Sequence, residues 1–268
     1  MTRVDYHFHT SYSYDGRATP PEILEAARRA GLTTVCVTDH DTIEGALALR
    51  ALAGGALEVV IGCELTCDDG SHVIGLGLQT MFAERRLLEV MDAIHAQGGL
   101  VLLPHLFRRG SGVFRHELRR TPAFVEEVLA RADLVECFNG RDTFEHNAAS
   151  RAFAAERGLS SVASSDAHRA SEVGSVFVEY DAAAPLHGRS PRRIWFPPQR
   201  ELHEHPLKRA ALELYHRHAG ALPPFVREGY RAARRRLRKD DAGRGRGPAA
   251  PQYQLGTAGE GGQHAGGP

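Results

Sequence analysis

Through residue 180 the chain alternates short, unbroken apolar runs with longer segments whose apolar residues return every three or four positions. The runs are VDYHF, TTVCVTD, EVVIGCE, VIGLGL, LVLLPH, LVECFN, SVASSD and SVFVEY. Their length and lack of internal alternation predict strands covered on both faces. Between most of them lie helical patterns: PPEILEAARRAG, EGALALRALAGG, ERRLLEVMDAIHAQGG, TPAFVEEVLARA and EHNAASRAFAAERG. Pro20 and Pro21 open the first helix, and Gly31, Gly98 and Gly158 stand where helices should stop. Strand-helix alternation of this kind predicts a parallel α/β structure. About seven such units in some 180 residues predict a compact, barrel-like sheet with its chemistry at the C-terminal strand ends.

The pattern changes after residue 184. The stretch PLHGRSPRRIWFPPQRELHEHP is Pro-rich and basic, and two helical patterns follow, LKRAALELYHRH and PPFVREGYRAARRRLRK. In the second, Val226, Tyr230, Ala233 and Leu237 share one face, with Arg227, Arg231, Arg234, Arg235 and Arg238 around the rest. From Asp240 onward Gly, Pro and Ala dominate and the expectation is disorder. Three regions are expected: an α/β domain over 1–184, a basic helical arm over 185–239 and a disordered tail over 240–268.

Composition fits this division. A chain of 268 residues can form one sizeable α/β domain plus an appendage. Net charge is zero, yet residues 1–184 carry 17 Lys+Arg against 26 Asp+Glu, while residues 185–247 carry 16 against 6. An acidic body is thus followed by a basic arm. No stretch approaches the roughly 20 apolar residues of a membrane span, and MTRVDYHFH lacks the apolar region of a signal peptide. Cys36, Cys63, Cys67 and Cys137 lack the paired spacing of a thiolate zinc site and read as reduced packing residues. The expected location is the cytoplasm, with no membrane partner.

The candidate chemistry lies at the strand ends. His7 and His9 are two residues apart at the end of the first run, and Asp166 and His168 repeat that spacing in SSDAH. Residues i and i+2 of a strand point to one face, so each pair can aim two ligands at one point. His40, Glu64 and His105 close strands between them. By position, nine side chains qualify as metal ligands: His7, His9, Asp15, His40, Glu64, His72, His105, Asp166 and His168. Nine exceed the needs of one ion and match a cluster of two or three with a bridging carboxylate. Imidazoles and carboxylates without thiolates suit Zn²⁺, Mn²⁺ or Fe²⁺. Asp39 reads as a residue that orients a ligand imidazole. His95, inside a helix, His116, after an Arg-rich loop, and His203, His205, His216 and His218 in the arm are left out of the set.

The segments HFHTSYSYDG, VTDHDT, GCE, HVIGLG, LPH, FNGR and SSDAH, in this order and spacing, resemble the PHP (polymerase and histidinol phosphatase) family of metal-dependent phosphoesterases. The resemblance spans residues 4–180 and implies a distorted (β/α)7 barrel. It implies one metal on His7, His9, Glu64 and Asp166, a second on Glu64 as bridge, His72 and His105, and a third on Asp15, His40 and His168. Some members have His at the place of Asp15. The implied activity is hydrolysis of a phosphomonoester or small phosphodiester by a metal-activated hydroxide, with Glu64, Asp166 and His168 at the chemistry. Phosphate binding calls for arginine near the metals. Arg108 and Arg141 are the first candidates, with Arg109 behind them. A single helix of about 20 residues separates HVIGLGL from LVLLPH, so no helical insertion caps the site. Two alternatives stand beside this reading: a nuclease acting on nucleic acid ends through the basic arm, and a non-catalytic PHP module.

Overall fold

The computed structural model describes residues 1–181 and 193–195. The helical patterns and tail that the sequence assigns beyond residue 195 lie outside the described residues. Among the described residues nine strands form one sheet in the order β7-β6-β5-β4-β3-β2-β1-β8-β9. They are β1 (Thr2–Phe8), β2 (Thr34–Val37), β3 (Glu58–Thr66), β4 (His72–Leu76), β5 (Leu100–Leu103), β6 (Leu134–Asn139), β7 (Ser161–Ser164), β8 (Phe177–Tyr180) and β9 (Arg193–Trp195). Five helices accompany them: α1 (Pro20–Ala30), α2 (Glu44–Ala53), α3 (Leu87–Ala96), α4 (Pro122–Leu129) and α5 (Phe144–Glu156). Among the described residues no helix is long and apolar enough to cross a membrane.

The sheet curls into a nearly closed barrel. Beyond β7 the chain reaches β1: Asp166 N–H donates to His7 O and His9 N–H to Ala167 O, both at 2.8 Å. Phe8 and Ala167 form the parallel bridge of that seam. Farther back along the same edge of β1, Thr2–Val4 pair with Val178–Tyr180 of β8 instead. The seam therefore closes only at the C-terminal end of β1, where His7 and His9 sit.

Two of the predicted strands depart from the parallel pattern that the sequence predicts: β8, which pairs antiparallel with β1 and β9, and β4. β4 pairs antiparallel with both β3 and β5, because only residues 67–71 separate it from β3. That is too short for the crossover a parallel pair needs. The inversion has a consequence for the site: the start of β4, at His72, lies at the rim where β3 ends, opposite Thr66.

Local signals hold as read. Thr19 and Glu22 form a capping box at the start of α1, and Gly31 ends it in the left-handed region at φ 67°. Gly98 and Gly158 also take positive φ, 74° and 63°. The sheet and its helices bury a core that includes the fully buried Tyr6, Phe8, Leu65, Ile74, Leu102 and Leu103. All four cysteines are free and buried, and burial pushes their thiols up, Cys67 and Cys137 to about 12.

Candidate metal centre

All nine predicted ligands meet at this rim. Their side-chain donors fall into four overlapping groups, each within 4.8 Å: His7, His9 and Asp166; His9, His40 and Glu64; His9, Asp15 and His168; Glu64, His72 and His105. Glu64 is central to them. Its Oε2 lies 3.3 Å from His7 Nε2, 3.2 Å from His9 Nε2 and 3.4 Å from His40 Nε2. Its Oε1 lies 2.7 Å from His72 Nδ1 and 2.9 Å from His105 Nε2. Asp166 Oδ1 approaches His7 and His9 at 3.6 and 3.4 Å. Asp15 Oδ2 is 2.8 Å from His168 Nε2 and 3.5 Å from His40 Nε2.

Proton accounting shows what this set fits. His7 Nδ1 donates to Glu136 Oε1 at 3.2 Å, so in the neutral imidazole Nε2 carries the lone pair. That lone pair points into a space shared with His9 Nε2, 3.1 Å away, and with the carboxylates of Glu64 and Asp166. One proton cannot serve so many acceptors. Inward lone pairs on imidazole nitrogen and carboxylate oxygen, buried and without thiolate, form a donor set for divalent transition metals. The electrostatics agree. Burial opposes charge on His7 and His9, yet the Asp166 and Glu64 carboxylates hold both up, His9 at about 9, so without a metal protons take the place that the carboxylates make for a cation. Burial likewise opposes ionisation of Glu64 and Asp166, but the surrounding imidazoles, with Arg108 beside Asp166, keep both well below the usual carboxylate range. His72 and His168 are pushed down to about 4, first by burial and then by neighbouring cationic groups.

Two of the candidate ligands sit on unusual backbone. His105 and Asp166 take positive φ, 30° and 50°, a conformation that costs free energy and collects at functional sites. At Asp166 the N–H donating across the barrel seam holds it. At His105 the backbone N–H donates to Glu136 Oε2 at 2.7 Å.

Glu136 is the functional residue that sequence reading passed over. Fully buried on β6, it accepts from the His7 imidazole, the His105 backbone, Asn139 Nδ2 at 2.8 Å and Ser164 Oγ. Residues 136 and 139 of a regular strand face opposite sides. Here the β6–β7 register slips by one residue between Glu136 and Phe138, and that bulge turns both inward. The signal available in the sequence was a glutamate inside the apolar run LVECFN, since a fully buried carboxylate needs partners. The expectation for Asp39 is corrected: it accepts from Thr10 N and Thr10 Oγ1 at 2.6 and 2.7 Å rather than from an imidazole. It pins the loop after β1, and the orienting carboxylate is Glu136.

Of the arginines, Arg108 enters the centre. Its Nη1 donates to Asp166 Oδ2 at 2.9 Å and its Nη2 to Asn139 Oδ1 at 2.6 Å, and Nε lies 3.7 Å from Asp142 Oδ1. Arg141 stands at the rim, half-exposed, with Nη1 3.5 Å from Glu172. Arg109 turns outward to Glu117 at 3.1 Å. His95 pairs with Asp133 away from the cluster, and His116 is exposed.

The family model for the PHP domain matches residues 5–129, and the PHP-associated model matches residues 144–186. The chain belongs to the PHP family. An uncharacterised protein of Methanocaldococcus jannaschii is 34% identical over 115 residues, 38% of this chain and 67% of that protein. An error-prone DNA polymerase of Mycobacterium tuberculosis is 35% identical over 109 residues, 36% of this chain and 10% of the polymerase. A 3′,5′-nucleoside bisphosphate phosphatase of Chromobacterium violaceum is 34% identical over 82 residues, 29% of this chain and 28% of that enzyme. Matches to the last two thus span a minor part of their length. The same fold occurs in a two-domain protein of Bacteroides vulgatus containing a predicted PHP-like metal-dependent phosphoesterase. The TM-score is 0.59 at 15% identity, covering 73% of this chain and 64% of that one.

Proposed function

We propose that this chain is a hydrolase of phosphate esters, acting on a phosphomonoester or small phosphodiester at a centre of two or three divalent metals. The observation that carries this reading is the meeting of nine inward-facing nitrogen and carboxylate donors beside a half-buried arginine. His7, His9, Glu64 and Asp166 would hold one ion; Glu64, His72 and His105 a second; Asp15, His40 and His168 a third. When bound, Mn²⁺, Zn²⁺ or Fe²⁺ supplies Lewis acidity toward phosphoryl oxygen and lowers the pKa of water toward neutrality.

The chain's own groups do the rest. Glu64 turns one oxygen to each half of the cluster, which suits a bridge. Asp166 links the cluster to Arg108, with Oδ1 toward the imidazoles and Oδ2 accepting from the guanidinium. Arg108 keeps one N–H on each terminal nitrogen beyond those given to Asp166 and Asn139. That pair can bind two phosphoryl oxygens in a fixed fork. Arg141, at the rim, suits a more distant oxygen. The likeness to a nucleoside bisphosphate phosphatase supports a small phosphorylated substrate.

The test is a panel of phosphomonoesters and small diesters with the full chain reconstituted in Mn²⁺. Turnover that chelation abolishes is expected. Arg108→Ala should raise KM about tenfold or more, given the strength of charge-assisted bonds to phosphate. Absence of turnover across the panel, or turnover that survives chelation, contradicts the reading.

A further inference from the structure

Five large hydrophobic residues are exposed among the described residues: Met1, Tyr12, Tyr14, Leu52 and Phe144. The three aromatic ones all lie on segments leaving the C-terminal ends of strands, Tyr12 and Tyr14 after β1 and Phe144 at the start of α5 after β6. That is the rim that carries the donor cluster. Tyr14 is tied to it directly. Its ring stacks on the ligand His40, with centroids 4.8 Å apart and planes at 20°, and the residue is still 63% exposed. His40 Nε2 in turn lies 3.4 Å from Glu64 and 3.5 Å from Asp15. An aromatic surface therefore stands one ring layer outside the ligands.

The loop presenting it is rigid. Thr10 is pinned by Asp39; Ser11 N–H donates to Ala18 O at 2.8 Å and Ser13 N–H to Thr10 O at 3.1 Å; Ser13 Oγ donates to Asp15 at 2.8 Å; Arg17 N–H donates to His168 O at 3.0 Å. An exposed aromatic side chain on a fixed loop is a preorganised contact, since little further freedom is lost when a ligand covers it.

Resting on the phosphoesterase reading, we propose that Tyr14 is a stacking platform for a planar ring system in the substrate, which makes the preferred esters those of a nucleoside type. A ring stacked outside Tyr14 has its centroid roughly 9 Å or more from the His40 ring, given stacking distances of about 4.5 Å or longer. A phosphate held at the cluster and a ring held there are separated by a spacer of about the length of a sugar. Phenyl phosphate, with its ring directly on the ester oxygen, shares the aromatic chemistry but reaches less far.

The test compares AMP, phenyl phosphate and ribose 5-phosphate as substrates of the Mn²⁺-loaded full chain. Binding of an unreactive phosphonate analogue of AMP is measured by calorimetry alongside. The wild type should favour AMP over ribose 5-phosphate in KM. Tyr14→Ala and Tyr14→Leu should raise KM for AMP and Kd for the phosphonate about tenfold, as loss of one stacked ring does elsewhere. Both should leave kcat and the ribose 5-phosphate constants within about twofold. Tyr14→Phe should retain wild-type values. Leu52→Ala, an exposed apolar residue at the far end of α2, should change nothing. A preference for phenyl phosphate that disappears in Tyr14→Ala keeps the platform and reassigns its occupant to an aryl ester. Equal losses for AMP and ribose 5-phosphate, or no loss, overturn the platform and leave the phosphoesterase reading standing. Failure of all three esters and the phosphonate to bind overturns both.

Discussion

At the scale of single residues, the candidate centre depends on Glu136, outside the proposed ligand set, as much as on the carboxylates within it. Glu136 holds the proton of His7 on Nδ1, fixes the backbone of His105 and steadies Asn139, which in turn receives Arg108. Partners of this kind set ligand tautomer and orientation, and their loss commonly costs ten- to a hundredfold in metal affinity. Glu136→Gln keeps the shape but puts an NH₂ against donors. We expect its affinity for Zn²⁺, measured by competition with a chromophoric chelator, to fall by about that factor while circular dichroism stays native. His95→Ala, at a surface pair with Asp133, should leave affinity unchanged. Equal losses at both positions would mean that the cluster is sensitive to general stability and not to the orientation of His7. That the nine candidate side chains meet was legible from residue type and from their places at and just beyond strand ends; strand alternation aims His7 and His9 together, while Asp166 and His168 follow β7. Glu136 was not legible, because its direction depends on a bulge that spacing does not encode.

Among elements, the strand-helix alternation was legible from hydrophobic pattern and helix stops. The inversion of β4 was not read from the runs alone. Its physical cause is nevertheless in the sequence, since residues 67–71 are too few for a crossover. The inversion explains why His72, which opens its strand, belongs with ligands that close theirs. The positive φ of His105 and Asp166 also escaped the pattern, because tertiary contacts impose it. The loop from β1 to α1 offers a test at this scale. A Cβ on Gly16 would stand 1.8 Å from Thr10 O, so the loop cannot keep its path with any other residue. Overpacking against backbone typically costs about 1–3 kcal/mol. Gly16→Ala should lower Tm and disturb the positions of Tyr14, Asp15 and the Arg17–His168 bond, lowering metal content at the site of Asp15, His40 and His168 first. An unchanged Tm with full metal content would show that the loop has more freedom than the packing allows.

Over the molecule, the described barrel contains every proposed ligand before residue 170. Its outer strand β9 is drawn from residues beyond 184 and pairs with β8. Any shortened version meant to preserve the sheet should retain residues 193–195. The central claim, that nine side chains form one multinuclear centre, is tested most directly by metal stoichiometry. The full chain is stripped with chelator, reconstituted with Mn²⁺ or Zn²⁺, freed of loose ion and analysed by inductively coupled plasma mass spectrometry. Two to three equivalents per chain are expected, falling by at least one in Glu64→Ala, whose carboxylate faces both halves of the cluster. One equivalent or less in the wild type, or no change in Glu64→Ala, would contradict the account.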